Sequence, residues 1–286
     1  MENQITLSPT RIRTWVRCKR SYHWRYNRHL IRFRKTVPLS LGIVTGQALA
    51  YYYSLPPEKR SHEALGRCFN RSVRKHHEEF FSNVAERYKA EAIADWKKVT
   101  SVSKGLLEKY HSWAQPRDEE FSVVSVEKSY TIALTPEIHL LAIPDAVVME
   151  NETSLVFEHK VRHRFRKGDF GIDYQSVGSC LVSGSIGTIY NILEYAKTLF
   201  HREVIVRSDY ELDYFREMLI HIGKDILSTS PEDMYPMPMK RCACDYWDLC
   251  NGEIRGLDMD DIIRELYVES VRRPPQEEST DSPEEG

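Results

Sequence analysis

Two charged side chains stand two residues apart in a run that is otherwise apolar: VFEHKV, spanning Val156 to Val161. Its β-branched and aromatic residues, reached through the polar turn ENET, predict a strand. Residues i and i+2 of a strand leave the same face, so Glu158 and Lys160 project together. Burying a carboxylate and an ammonium is expensive unless they bind each other or something else. The pair therefore demands a sheet through this point with a polar patch on one face. Taken alone, a Glu-x-Lys of this kind is an ion pair on an edge strand.

Its surroundings change that reading. IPDAVVME predicts the preceding strand with Asp145 toward one end, and a tight turn brings Asp145 beside the pair. Two carboxylates can hold Mg²⁺ or Mn²⁺, hard cations that prefer oxygen. An ammonium beside them can orient or help deprotonate a water while the metal offsets charge on a scissile phosphate. FSVVSVEKSYTIAL, IHLLAIPDAVVME and SLVFEHKV together predict a meander of three strands. A basic loop (RHRFRKGD) follows, then a helix near Tyr174–Val182, strands in SIGTIYNIL and REVIVR, and a helix from Asp209 to about Leu227. Glu127 is either a carboxylate supporting the site or a surface strand residue.

The N-terminal part reads as helical. Ser8-Pro9 is a strong start, with a hydroxyl cap and proline at the first helical position. Ile12, Trp15, Val16, Tyr22, His23 and Tyr26 recur at helical spacing. A second helix covers Gly42 to Tyr53, and two or three more fill Glu58 to Trp113. The net charge of −2 hides a division: residues 1–57 carry ten Lys/Arg and one Glu, leaving the remainder at −11. A basic block facing a polyanion explains that asymmetry, and a solvated basic surface explains it equally well. Arg13, Arg17, Arg20, Arg25 and Arg28, with Arg162, Arg164, Arg166 and Lys167, are candidates to line a phosphate channel. Tyr22, Trp24 and Tyr26 are candidates to stack on unpaired bases. No run of about 18 apolar residues predicts a membrane span, and MENQITLSPT carries no basic-then-apolar leader, which points to the cytoplasm.

Pro144-Asp145, twelve intervening residues, and Glu158-His159-Lys160 spell PD-x-ExK. Here the chain resembles the PD-(D/E)XK nuclease superfamily and, within it, the RecB-like exonuclease branch that includes CRISPR-associated and phage recombination exonucleases. LSPTRIRTWVRCKRSYHWRY looks like the opening helix of that branch, LGIVTGQALAYYY like its G-x-x-x-H helix, VEKSYTIAL like the strand before the catalytic Asp, and DYQSVGS like its Q-x-x-x-Y helix. The resemblance implies an α/β, restriction-endonuclease-like fold: a mixed central sheet flanked by helices, with an N-terminal helical region. It implies Asp145 and Glu158 as side-chain metal ligands, the His159 carbonyl as a backbone ligand, Lys160 as the catalytic lysine, and Gln175 as a glutamine reaching toward the site and the DNA. Two positions depart from the pattern. Gly46 stands where the family has a metal-binding His, and Ser179 where it has the motif Tyr. An active DNA exonuclease in recombination, repair or CRISPR-type adaptation, acting on single strands or ends, is therefore set beside a catalytically weak DNA-binding subunit working with a partner protein.

Cys242, Cys244 and Cys250 fall within nine residues, far from Cys18 in the chain. Four thiolates suit an iron–sulfur centre or zinc. The family pattern, a lone N-terminal cysteine plus C-x2-C-x5-C around a [4Fe–4S] cluster, is met by Cys18, Cys244 and Cys250. Cys242 comes one residue late, with Arg241 in the expected place. Such a centre would clasp distant parts of the chain. Cys68 and Cys180 read as plain core. The organisation expected is one nuclease domain over 1–272: a helical part (1–115), the catalytic sheet and its helices (120–230), and a Cys-rich closure with a last helix from Asp258 (235–272). An acidic, disordered tail over 273–286 follows.

Overall fold

A computed structural model of the chain describes residues 4–33, 36–82, 84, 86–236, 242 and 244–269. The acidic tail and part of the Cys-rich closure lie outside the described residues. Strand β1 (Ile5–Leu7) leads into α1 (Pro9–Arg17), capped by the Ser8 hydroxyl, which accepts from the Arg11 amide. An extended Cys18 separates α1 from α2 (Lys19–Tyr22), which runs on into a π-helical turn, His23–Asn27. After β2 (Leu30–Arg32) come three long helices, α3 (Val37–Tyr53), α4 (His62–Phe81) and α5 (Lys89–Asp118). Helix α3 begins five residues before the expected Gly42, because Pro38 near its start suits a helical first turn.

The expected three-stranded meander is corrected to five strands in two sheets. They are β3 (Ser122–Val126), β4 (Tyr130–Ala133), β5 (Ile138–Ala142), β6 (Ala146–Glu150) and β7 (Thr153–Arg162). The first predicted strand breaks at Glu127, whose φ of 47° no regular strand accepts. The second breaks at Pro144, which has no N–H to give to a ladder. Helix α6 (Tyr174–Ser183) then crosses over to β8 (Gly187–Glu194), and β9 (Leu199–Val206), α7 (Asp209–Ser228), α8 (Trp247–Ile254), α9 (Met259–Leu266) and β10 (Tyr267–Glu269) complete the order. Helix α7 opens with a reciprocal Ser208/Glu211 capping box.

The central sheet has the order β3-β6-β7-β8-β9; β7 and β8 are parallel, and the other neighbours are antiparallel. A smaller sheet, β1-β5-β4, takes up the strand ends that leave at Glu127 and Pro144. Alternation sorts the two faces of the central sheet. Val148, Leu155, Phe157, Ile189 and Leu193 pack with residues of α3, α4 and α5 in one large core. Val156, Glu158, Thr188 and Tyr190 fall on the opposite parity, the side reached by α6 through the Ser176–Thr188 contact. The mixed α/β architecture with its N-terminal helices is the one the sequence implies.

The chain's far-apart segments are joined by packing, strand pairing and ion pairs. Trp24, Leu30, Tyr246, Leu249, Cys250 and Tyr267 form one buried cluster. Strand β2 pairs antiparallel with β10, and the Tyr246 hydroxyl donates to the Leu30 carbonyl at 2.7 Å. Arg20 pairs with Glu253 and Arg32 with Asp248. Cys68 and Cys180 are buried free thiols, in keeping with a core role. No helix among the described residues is long and apolar enough to cross a membrane.

Candidate active site

Asp145 occupies the junction between β5 and β6, and Glu158 and Lys160 leave β7 on one face. Glu158 is fully buried. The Lys160 ammonium donates to Glu158 Oε2 at 3.0 Å and to Gln175 Oε1 at 2.8 Å. The Gln175 amide in turn donates to Glu158 Oε2 at 2.9 Å, so the glutamine grips both members of the pair. Gln175 can do this because it sits in the first turn of α6, where the N-cap Asp173 accepts its backbone amide at 3.1 Å. On the other side, Asp145 Oδ2 accepts the His159 backbone N–H at 2.7 Å. The structure therefore brings Asp145, Glu158, Lys160 and Gln175 together.

Electrostatics divide the two carboxylates. Burial works against ionising Asp145, but the donors of His159 and the Lys160 charge outweigh it and hold this carboxyl below its usual range. Burial pushes Glu158 up, and the charge of Asp145 adds to that, with Lys160 opposing. Burial works against the charged form of Lys160, yet Glu158, Asp145 and Asp173 more than offset it and the ammonium is held above its usual range. One atom is left over. Glu158 Oε1 is buried with no hydrogen-bond partner among the described residues. A bare buried carboxylate oxygen is costly, and a hard cation is a chemically suitable partner for it. The donor set present fits Mg²⁺ or Mn²⁺.

The sequence model of the PD-(D/E)XK nuclease superfamily matches residues 6–251. The chain belongs to the PD-(D/E)XK nuclease superfamily. Two solved structures are similar in fold. One is the crystal structure of SSO0001, with 13% identity over 64% of this chain and 92% of that one, at a TM-score of 0.33. The other is a candidate exonuclease of Eubacterium rectale, with 10% identity over 87% of this chain and 88% of that one, at a TM-score of 0.48. At those scores neither adds to the family assignment. No curated protein matches the chain.

For a PD-(D/E)XK nuclease, the departures from the family pattern have clear settings. A methyl group added to Gly46 would meet no atom within 4 Å, so space exists where the family places its histidine. The next residue, Gln47, donates to the Glu127 carboxylate at 3.0 Å and accepts from Lys75 at 2.8 Å. Glu127 itself lies against the site through its backbone, donating its N–H to the Asp145 carbonyl at 3.1 Å. Ser179 is buried with its hydroxyl unpartnered among the described residues.

The candidate nucleic-acid residues separate. Arg13 and Arg17 are exposed on α1 and, with Arg25, line a cleft closed by Cys244 and Tyr246. Arg166 is exposed in the loop after β7. Arg20 is corrected: it is turned inward, with its side chain 12% exposed, over Trp24 and onto Glu253. Tyr22 and Trp24 are likewise core rather than stacking platforms, at 2% and 3% exposure. Tyr26 lies part-buried under Arg11.

Around the cysteines, the Cys242 and Cys244 sulfurs lie 3.5 Å apart. Cys250 is within electrostatic reach of Cys18 and Cys242, and Cys244 of Cys250. Burial pushes the Cys244 thiol up to about 12. Among the described residues no three His, Cys, Asp or Glu side chains are gathered closely enough to hold a metal ion. The sulfurs are neighbours without forming a cage.

Sequence reasoning missed a polar network on the other face of β7. His159, Tyr110, Tyr53, Asn191, Arg202 and Asp118 are linked there by hydrogen bonds through the main core. These six residues come from five elements, and no local pattern ties them.

Proposed function

We propose that the protein is a metal-dependent DNA exonuclease acting on single strands or ends, with Asp145 and Glu158 as side-chain ligands and the His159 carbonyl as a backbone ligand. The observation that carries this reading is the Asp145–Glu158–Lys160–Gln175 cluster with its unpartnered Glu158 Oε1. A bound Mg²⁺ or Mn²⁺ would offset charge on the phosphodiester as it reacts. Lys160, steered by Gln175, would orient the attacking water by donating to its oxygen from the ammonium, and the water gives its proton to solvent as its oxygen bonds to phosphorus. The P–O bond on the opposite side breaks, and the leaving oxygen takes up a proton. Arg13 and Arg17 on α1, with Arg166 beyond β7, would hold backbone phosphates, while Gln175 orients the strand at the site.

In this reading residues 1–272 act as one nuclease domain in the cytoplasm, serving recombination, repair or CRISPR-type adaptation with a partner protein. Cys18, Cys242, Cys244 and Cys250 would carry a [4Fe–4S] cluster, with zinc as the alternative, reinforcing the clasp between β2 and β10. A second reading rests on Gly46: without the family histidine the chain would be a DNA-binding subunit with little cutting of its own.

The deciding experiment is Mn²⁺-dependent degradation of labelled single-stranded DNA, run beside the Lys160→Ala protein. Cutting by the wild type alone supports the nuclease. Binding without cutting by both proteins selects the second reading.

A further inference from the structure

We propose that the buried chain Arg202–Asn191–Tyr110–His159 is a positioning device that aims Asp145 at its cation, so that the His159 imidazole and the Tyr110 hydroxyl act on the metal site without touching it. This rests on the reading of Asp145 as a metal ligand given above.

Asp145 Oδ2 is held twice by one residue. It accepts the His159 backbone N–H at 2.7 Å, and His159 Nδ1 lies 3.5 Å from the same oxygen. Asp145 Oδ1 takes no part in either contact. His159 is itself fixed from behind, with Nε2 at 3.2 Å from the Tyr110 hydroxyl. The Tyr110 oxygen is held from two further sides, by Asn191 Nδ2 at 2.8 Å and by the Tyr53 hydroxyl at 2.8 Å.

The far end sets the direction of the chain. A guanidinium has no acceptor, so Arg202 Nε must donate to Asn191 Oδ1, at 2.8 Å. That leaves the Asn191 amide nitrogen pointing at Tyr110. Arg202 Nη2 also donates to Asp118 Oδ1 at 2.6 Å, while Asp118 Oδ2 takes the Tyr53 hydroxyl proton at 2.6 Å. With the Tyr53 proton on Asp118, the one Tyr110 proton goes either to the Tyr53 oxygen or to His159 Nε2, and the two imidazole nitrogens face Tyr110 and Asp145.

This chain is built where an apolar core would serve folding as well. Tyr53, Tyr110 and Asn191 are at most 2% exposed, and the His159 side chain 3%. Tyr53 and Tyr110 belong to the main core beside Phe157 and Leu193. Buried polar groups of this kind are justified by what they fix, since apolar residues of similar volume often serve stability as well or better. Here the chain ends on a carboxylate at the mouth of the site. The same helices supply a contrast: Tyr52 on α3 hydrogen-bonds His111 on α5 at 2.7 Å, and that pair does not lead to Asp145.

Partners that orient metal ligands typically change metal affinity by about 10–100-fold when removed. The test is calorimetric titration of the full chain with Mn²⁺, with melting temperatures measured on the metal-free proteins. Tyr110→Phe and His159→Phe should each weaken Mn²⁺ binding by about 10–100-fold. Tyr52→Phe should lower the melting temperature comparably to Tyr110→Phe and leave Mn²⁺ affinity at the wild-type value. His159→Phe keeps the backbone N–H to Asp145 and a ring against Phe157, so it carries the test even where Tyr110→Phe folds poorly. Wild-type Mn²⁺ affinity in both Tyr110→Phe and His159→Phe overturns the positioning role and leaves the nuclease reading standing. A wild-type protein that takes up no Mn²⁺ overturns Asp145 as a ligand, and the positioning role with it.

Discussion

The backbone N–H of Glu127 donates to the carbonyl of Asp145 at the place where the chain passes twice between the central and the smaller sheet. Strands β3 and β4 part company at Glu127, and β5 and β6 at Asp145. One hydrogen bond thus ties the two crossings and sets Asp145 at the end of the central sheet. From there its carboxylate meets the backbone of β7. The site depends on a discontinuity, and a straight hairpin would have carried Asp145 into the smaller sheet.

Loss of Lys160 should be specific to chemistry. Lys160→Ala should lower DNA cutting by about 10²–10⁴-fold while circular dichroism and DNA affinity stay near wild type. Asp145→Ala and Glu158→Gln should be equally silent in a gel assay with Mn²⁺. Residual cutting by Lys160→Ala at the wild-type rate would remove it from the mechanism.

Gly46→His is expected to be tolerated and informative. The position is helical and the space beside it open, and glycine is among the weakest residues in a helix interior. The variant should melt no lower than wild type and bind Mn²⁺ more tightly or in greater amount. A lower melting temperature would show that the open volume is needed by the fold.

Charge reversal should sort the arginines. Arg13→Glu, Arg17→Glu and Arg166→Glu should each flatten the dependence of DNA affinity on salt by about one unit of slope. Arg20→Glu should instead lower the melting temperature, because it places a second carboxylate against Glu253 in a part-buried pair. If Arg20→Glu melts like wild type and loses salt dependence, its inward placement is wrong.

Iron content tests the cysteines. Anaerobically purified protein should be brown with roughly four irons per chain, and Cys18→Ser should bleach it while Cys68→Ser and Cys180→Ser do not. Because β2, β10 and the Trp24–Tyr246–Tyr267 cluster also hold the same seam by strand pairing and apolar packing, iron removal should lower the melting temperature and leave the catalytic sheet folded. One zinc in a colourless protein would select the alternative metal.

Acid should loosen the same seam through His23. Burial first, then Arg20 and Arg28, depress this imidazole to about 4. A depressed histidine favours the fold above its unfolded value near 6.5, and that contribution fades as pH falls from there toward about 4. Melting temperature followed between pH 7 and pH 4 should drop less for His23→Gln than for wild type; parallel curves would exclude His23 as the source.

Legibility in the sequence tracked how local the physics is. Glu158 and Lys160 share a face by strand period alone, and Ser8-Pro9 and Asp258 announce their helices through side chains adjacent to the ends they cap. The N-terminal helices followed from such cues, and the mixed sheet from the resemblance to the superfamily. The split of the meander did not, because Glu127 in a left-handed conformation looks like any other strand glutamate in a list of residues. The inward turn of Arg20 and the Tyr53–Tyr110–Asn191–Arg202 chain were equally hidden. Their partners are brought near only by packing, 233 residues away in the case of Arg20 and Glu253.

The β2–β10 ladder also has a consequence in time. Its paired residues are 235 to 239 positions apart, and chains are synthesised at about 5–20 residues per second. For roughly ten to fifty seconds after β2 leaves the ribosome its partner does not yet exist, whereas every strand of the catalytic sheet has already been made before α8 is begun. For most of that interval Cys18 is present without Cys242, Cys244 or Cys250. The nascent chain therefore completes its catalytic sheet first and seals itself last, and a ribosome that stalls before β10 would present the site on an unsealed molecule.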